Sequence, residues 1–428
     1  MRIRSLHIKN YRCFSELNIF FDKQLTVIVG VNGSGKTSIL DALSIFLKSL
    51  IYSMSLNNFN SNYFPEIHIN DLPIHNLYDN INYKIIIDTY LVGVNQQLSI
   101  DFVFEKQTNN NMGISLYPEK LFSFFDQLKT NNNNLNCLGM PVAAYYRSRQ
   151  IATTTDIQSI PNAYDKAFEP LIDFHSAVSW FEKKDADEAR KQRKNRDFVD
   201  PELKAVKEAV SKALGNYGEP FIDGTPPILY ISPKGLSEAY TVEQLSDGYR
   251  SMLAMVMDLA RRMAMANGEL PYYSDKSILH APAIVLIDEI ELHLHPSWQQ
   301  TVLPTLMEIF PNVQFIVTTH SDQVLTSIPS KHILILEDGM ASGAAEESEG
   351  ADSSRVLKRI LRVDSRPADN DYVKKLNEYS DLVYKGQWDS DRARSLREEL
   401  ERHFGQNSEP RLKELELHIE NEIWMKKL

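Results

Sequence analysis

The 428 residues can bury one large or two moderate cores, and 43% hydrophobic with 24% charged residues is the balance of a soluble globular protein. The net charge of −11 argues against broad, non-specific affinity for nucleic acid, while a local basic patch stays open. Two cysteines, Cys13 and Cys137, make neither a disulfide framework nor a zinc site, so a reducing cytoplasm is expected.

Taken in order, the first residues alternate like a strand and lack the apolar stretch of a signal peptide. No apolar run in the chain is long enough to predict a transmembrane helix. Two short strands are predicted over 2–9 and 17–21, around Asn10-Tyr11-Arg12-Cys13-Phe14. Residues 25–29 then read as a buried strand, and the apolar spacing after Lys36 reads as a helix. Between them stands Gly30-Val31-Asn32-Gly33-Ser34-Gly35-Lys36-Thr37, the pattern G-x-x-x-x-G-K-T. Its glycines let backbone N–H groups turn inward around a phosphate, and the helix after it adds its N-terminal dipole. Lys36 is placed to reach β- and γ-phosphates, and the Thr37 hydroxyl to ligand Mg²⁺. The expected nucleotide-binding set is Gly30, Asn32, Gly33, Ser34, Gly35, Lys36, Thr37 and Ser38. ATP and Mg²⁺ are the expected cofactors.

Asn-rich stretches at 57–62, 109–111 and 131–134 favour exposed loops. Residues 83–90 and 97–104 alternate as strands of an antiparallel lobe, and 141–146 is a further short strand. From Tyr164 to about Ala213 the pattern is helical. The mixed charges of 182–196 fit a solvated helix face, and the sharper alternative is a basic contact to nucleic acid. Residues 228–231 read as a strand, 252–265 as an apolar helix, and 341–353 as a linker or mobile loop. The tail from Asp371 shows helical periodicity in three pieces, interrupted near 386–388 and 405–410.

A second group of candidates lies in the later half. The apolar run 283–287 leads into Asp288 and Glu289, where a buried parallel strand places ligand chemistry beyond its carboxyl end. Asp288 suits the coordination shell of Mg²⁺, and Glu289 suits activation of an attacking water. A helix over 296–310 leads to another apolar strand, 313–318, and then to Thr319-His320-Ser321. Both strands would open on one edge, where His320 could bond a γ-phosphate. Ser246, Asp247 and Gly248 precede the helix at 252–265 and are either a phosphate site or an ordinary N-cap.

With these residues in place the chain resembles ABC-type ATPases related to SMC and RecF proteins. The resemblance is greatest to the branch of OLD-family proteins and Septu antiphage ATPases, including retron-linked relatives. Gly30–Thr37 matches the family P-loop, and Leu245-Ser-Asp-Gly-Tyr-Arg250 resembles the signature, normally LSGGQ, with Asp247 departing from its glycine. Ile287-Asp-Glu-Ile-Glu-Leu-His-Leu-His-Pro296 resembles the Walker B strand and D-loop, and His320 matches the switch histidine. The resemblance implies an α/β fold: a P-loop ATPase head with an antiparallel β-lobe, a helical insertion and a helical C-terminal appendage. The expected divisions are 1–150, 151–227, 228–340 and 341–428.

The resemblance further implies a head-to-head homodimer, with ATP between one P-loop and the partner's Ser246, Asp247 and Gly248. Gln150 is a Q-loop candidate and Arg12 a phosphate contact, and either residue could equally be structural. The favoured expectation is an ATPase subunit of an antiphage system that controls a separate effector, an HNH nuclease. A higher oligomer, a reverse transcriptase with its non-coding RNA, or nucleic acid are further partners left open, and no membrane is expected. No nuclease centre is expected in the chain, because the residues beyond Ile335 read as helices without clustered metal-binding carboxylates. The alternative is a DNA-repair ATPase of RecF or SMC type that binds DNA, and a transporter's ATPase subunit fits less well.

Overall fold

A computed structural model describes residues 2–55, 83–91, 96–106, 112–116, 142–147, 163–268, 277–405 and 408–425. The Asn-rich stretches, Gln150 and Cys137 lie outside these residues. The chain divides into two compact units, Met1–Val356 and Leu357–Leu428.

The first unit begins with a hairpin, β1 (Arg2–Tyr11) and β2 (Phe14–Phe20), whose tip places Asn10 and Arg12 at positive φ. An irregularity between Ile3 and Ser5 shifts the alternation, so Ile3, Leu6 and Ile8 are all buried despite uneven spacing. β3 (Leu25–Gly30) and α1 (Lys36–Ser55) flank the P-loop. β4 (Tyr83–Leu91), β5 (Gln96–Lys106) and β6 (Met112–Leu116) complete an antiparallel sheet of order β2-β1-β4-β5-β6, the expected β-lobe with one strand more. β7 (Val142–Tyr146) returns to the nucleotide side.

The helical insertion is shorter than its sequence suggests. Residues 163–173 form turns and a bridge, and α2 (Phe174–Gln192) starts only after Asp173. The Asp173 carboxylate accepts from Ser176 N at 3.2 Å and Ser176 Oγ at 2.8 Å, fixing the helix start there. α3 (Pro201–Ala213) comes next, with Asp200 as its cap and Pro201 at its first position. A small sheet of β8 (Phe221–Asp223), β9 (Ile228–Ile231) and β10 (Tyr240–Thr241) leads into α4 (Asp247–Asn267).

Next comes β11 (Ala283–Ile287), and the single helix expected over 296–310 is in fact two. These are α5 (Pro296–Gln299) and α6 (Val302–Ile309). Pro304 has no N–H to continue a helix from Gln300, so the chain restarts with proline in the first turn. The chain continues through β12 (Val313–Thr318), α7 (Asp322–Leu325) and β13 (Ile333–Glu337). The expected linker at 341–353 instead opens with β14 (Met340–Gly343), antiparallel to β13. Beyond it the Glu347 carboxylate accepts from the backbone N–H of Ser330, Ser348 and Glu349 at 2.9–3.1 Å. Small and acidic residues here build a hydrogen-bonded turn.

The central sheet has the order β14-β13-β3-β12-β11-β7, parallel except at β14. Every residue of β7, β11 and β12 is buried, as strands covered on both faces require. One face packs Ile28, Ile284, Leu286 and Ile316 with Ile39, Leu43 and Phe46 of α1 and with Leu6 and Ile8 of β1. Gln314 is fully buried in β12 and ties the two sheets together. It accepts from Ile3 N and donates to Ile3 O and Asp22 O, each at 2.8 Å.

Successive side chains of β7 point to opposite faces. The Tyr145 hydroxyl donates to Asp41 of α1 at 3.1 Å, and that of Tyr146 to Asp258 of α4 at 3.0 Å. Asp258 is buried with Arg261 (2.8 Å) and Arg262 (2.7 Å), and Arg262 also donates to the carbonyls of Ala163 and Asp165. Burial by itself would raise the pKa of Asp258, but the two guanidiniums hold it below the ordinary carboxylate value.

The second unit is built by α9 (Asp371–Tyr384), α10 (Asp391–Phe404) and α11 (Pro410–Met425), while α8 (Ser353–Arg359) carries the boundary. The three periodic pieces of the tail are these three helices. Their shared core includes Leu376, Tyr379, Val383, Leu396, Leu400 and Leu415. No helix among the described residues is long and apolar enough to cross a membrane.

The buried ion cluster generates a stability prediction. Asp258→Ala strands two buried guanidiniums and should cost about 3–5 kcal/mol, seen as a thermal midpoint lower by several degrees. An unchanged midpoint would show that the cluster does not hold α4 to β7.

Candidate functional site

The P-loop owes its shape to two glycines and to their surroundings. Gly33 and Gly35 adopt φ of +81° and +97°, a region that disfavours side chains. At Gly35 a Cβ would also lie 2.4 Å from the Phe14 ring and 2.5 Å from Cys13 Sγ, so the β1–β2 hairpin tip packs against the loop. Lys36 is buried and curls back over the loop, donating to the carbonyls of Gly30 at 2.9 Å and Val31 at 3.0 Å. Burial pushes its ammonium pKa down, and the carboxylates of Asp288, Glu289 and Glu291 oppose that shift. Ser34 Oγ is buried without a hydrogen-bond partner, a polar atom still available to a ligand.

The two halves of the sequence meet here. Thr37 Oγ1 donates to Asp288 Oδ2 at 2.9 Å, across 251 positions of chain, and Thr318 Oγ1 donates to Asp288 Oδ1 at 2.6 Å. The same Thr318 oxygen accepts from Glu289 N at 2.8 Å, and Glu289 sits at φ +50°. A cleft of about 320 Å³ results. It is lined by Arg12, Cys13, Asn32, Gly33, Gly35, Lys36, Thr37, Ser38, Asp288, Glu289 and His320. The structure therefore brings together most of the expected set, and Gly30 and Ser34 belong to the loop without lining the cleft. Gly30 has no room for a side chain, since a Cβ would lie 2.5 Å from the Leu336 carbonyl oxygen.

Arg12 lines the cleft from the hairpin tip, and its Nη1 also bonds Asp41 Oδ2 at 2.6 Å. Asp41 lies one helical turn after Thr37 and receives Tyr145 and, at 3.4 Å, Arg147 as well. Ser246, Asp247 and Gly248 are not part of this chain's own cleft. Ser246 and Asp247 are exposed at the start of α4. Gly248 is required by close packing, because a Cβ would lie 2.8 Å from the His293 carbonyl oxygen. Tyr249 then stands edge-on to both Tyr217 and Trp298, with centroids 5.0 and 4.3 Å away.

Glu291, beside the site, is a residue whose contacts sequence reasoning missed. Its Oε2 accepts from Thr319 Oγ1 and its Oε1 from His320 N, both at 2.7 Å. The carboxylate thereby pins the histidine-bearing turn to the segment that carries Asp288 and Glu289. Its place two positions beyond the carboxylate pair marks it as polar but does not name its partners, which lie 28 and 29 positions further on.

The site fits a nucleotide with Mg²⁺. The P-loop, Lys36 and Arg12 line a concavity of about 320 Å³, and the Thr37 hydroxyl and Asp288 carboxylate in mutual contact are of the kind that Mg²⁺ takes beside phosphates. Among the described residues there is no group of three or more His, Cys, Asp or Glu that could hold a metal without such a ligand.

Comparison with known proteins agrees with this geometry. A family model described as "AAA ATPase domain" matches residues 1–150, and one described as "AAA domain, putative AbiEii toxin, Type IV TA system" matches 160–326. The retron Ec83 probable ATPase of Escherichia coli is 30% identical over 99% of this chain and 88% of its own length. The retron Vc95 probable ATPase of Vibrio cholerae serotype O1 biovar El Tor is 26% identical over 94% of this chain and 88% of its own. A Septu protein PtuA of Bacillus mycoides is 36% identical over 24% of this chain and 13% of its own. The chain belongs to the family of the retron Ec83 ATPase, within the ABC-type group that includes the Septu PtuA proteins, and is an α/β P-loop enzyme that hydrolyses ATP.

Proposed function

We propose that this ATPase serves an antiphage defence system of retron or Septu type, where its ATP cycle controls a separate effector, an HNH nuclease. The observation that carries the chemistry is the contact of Thr37 with Asp288 inside the cleft, which joins a phosphate-binding loop to a carboxylate pair. The relatives named for retrons and for Septu support the defence setting.

In this reading Gly30, Asn32, Gly33, Ser34, Gly35 and Ser38 cradle the phosphates, and Lys36 supplies a cation at the β–γ bridge. Thr37 and Asp288 hold Mg²⁺, which when bound neutralises charge on the phosphoryl oxygens. Glu289 takes a proton from the water whose oxygen attacks the γ-phosphorus, while the bond from that phosphorus to the β–γ bridging oxygen breaks. His320 bonds a γ-phosphoryl oxygen, and Arg12 approaches the phosphates from the hairpin tip. Ser246, Asp247 and Gly248 complete the site of a second copy in a head-to-head homodimer. The exposure of Ser246 and Asp247 at the start of α4, with all three residues outside their own chain's cleft, supports that arrangement.

Two variants and a mixing experiment test the assignments. Lys36→Ala should weaken ATP binding at least tenfold by calorimetric titration, and unchanged affinity would remove Lys36 from the phosphates. Glu289→Gln should keep ATP affinity while phosphate release falls by about 10²–10⁴. A near-parental rate would exclude it as the base. The effector arm is tested by mixing: the purified chain should leave plasmid DNA intact with Mg²⁺ or Mn²⁺, and cleavage should appear only when an HNH nuclease effector is added.

Glu291 allows a finer test. Glu291→Ala frees the His320 turn and should lower kcat about tenfold with little change in KM. If it acts through His320, the double variant with His320→Ala falls no further than the lower single variant. Additive losses would show that the two residues act independently.

A further inference from the structure

The turn joining α2 to α3 concentrates positive charge. Arg190, Lys191, Arg193, Lys194 and Arg196 fall within seven residues with no carboxylate among them, on a chain whose net charge is −11. The side chains of Arg193, Lys194 and Arg196 are exposed and make no hydrogen bond, ion pair or ring contact within the described residues. Arg190 pairs with Asp187 at 3.0 Å but stays 72% exposed, and Lys191 lies over the Phe198 ring.

Nearby acidic groups do not neutralise the tip. Asp185 faces Lys207 at 3.2 Å, and Glu188 accepts from Asp200 N at 2.6 Å. Asp197 is the acidic residue on the turn itself. The favourable dipole at a helix C-terminus accounts for cations in the last turn of α2. It does not account for Lys194 and Arg196, which stand beyond the helix.

The turn is also held in shape. Gln192 Nε2 donates to Phe198 O at 2.9 Å, Phe198 N donates to Asn195 O at 3.1 Å, and Asp197 N donates to Asn195 Oδ1 at 3.3 Å. Below it, Asp200 accepts from the N–H groups of Glu202 and Leu203 and starts α3. An ordered turn has little backbone entropy left to lose on contact with a polyanion, so only the cationic side chains must be immobilised. Guanidinium forks match phosphate oxygens in pairs.

We propose that this helical hairpin tip is a contact surface for the phosphate backbone of a nucleic acid, distinct from the residues that line the ATP cleft. Backbone contact of this kind fixes position without reading sequence. The negative charge of the rest of the chain would confine the nucleic acid to the tip. DNA and RNA present the same phosphate chemistry.

The test uses the full-length chain and fluorescence anisotropy with labelled duplex DNA, single-stranded DNA and duplex RNA of about 20 nucleotides, between about 50 and 200 mM salt. The triple variant Arg193→Ala, Lys194→Ala, Arg196→Ala should bind at least tenfold more weakly at the lowest salt. On duplex DNA its log–log salt slope should be shallower by about 2–3, since each lost phosphate contact removes about 0.9. ATP turnover should be unaltered, which also shows that the variant is folded. The nucleic acid bound tightest by the parent identifies the source. Unchanged affinity and slope in the variant overturn the proposal, as does absence of saturable binding by the parent to any of the three. Equal displacement by poly-glutamate would overturn it too, because the tip would then read charge on any polymer.

Discussion

The carboxylate of Asp288 is the group on which the site depends. It accepts from Thr37 at the start of α1 and from Thr318 at the end of β12, while its own backbone N–H bonds the carbonyl of Tyr146. Three elements far apart in sequence are held by one residue at the edge of the sheet. The parallel strands make this arrangement available, because β3, β11 and β12 all release their chains at the same edge. Glu291 extends the principle by one more turn, using two oxygens to capture Thr319 and the backbone of His320. Acidic groups thus fix both the phosphate side and the histidine side of the cleft.

Charge beyond the carboxylate pair is handled differently on the two sides of the sheet. On one side Asp41 gathers Arg12, Arg147 and Tyr145 near the surface, within reach of the nucleotide loop. On the other, Asp258 and its two arginines are sealed from water, where an unpaired charge is costly. Neighbouring tyrosines on β7 serve both networks because a strand alternates its faces. A one-residue slip of β7 would move one tyrosine into the other's place and leave either Asp41 or Asp258 without its hydroxyl partner.

Much of this was legible from the chain alone. The P-loop announces itself because its glycines, lysine and threonine must be contiguous, and the apolar runs at β11 and β12 need no partner to be read as buried strands. The three tail helices were legible because Gly386, Gly405 and Pro410 punctuate a strong helical period. The hidden features depend on contacts between distant residues or on competition within a turn. Asp173 as the cap of α2 and Pro304 within 296–310 are local signals that the apolar periodicity masks, whereas nothing local shows that Glu347 gathers a loop around its carboxylate. Glu291 and Asp41 were missed for the same reason. Their partners become neighbours only after the sheet has formed.

Gly248 and the carbonyl of His293 leave no space between them. Each is therefore part of the other's environment, though 45 positions separate them in the sequence. Drift at either place is constrained by the other: a larger residue at 248 survives only if the backbone around 293 has already moved. The start of α4 and the segment beyond the carboxylate pair should accordingly be inherited as one unit, and a chimera that draws them from two distant relatives would combine loops never selected to touch.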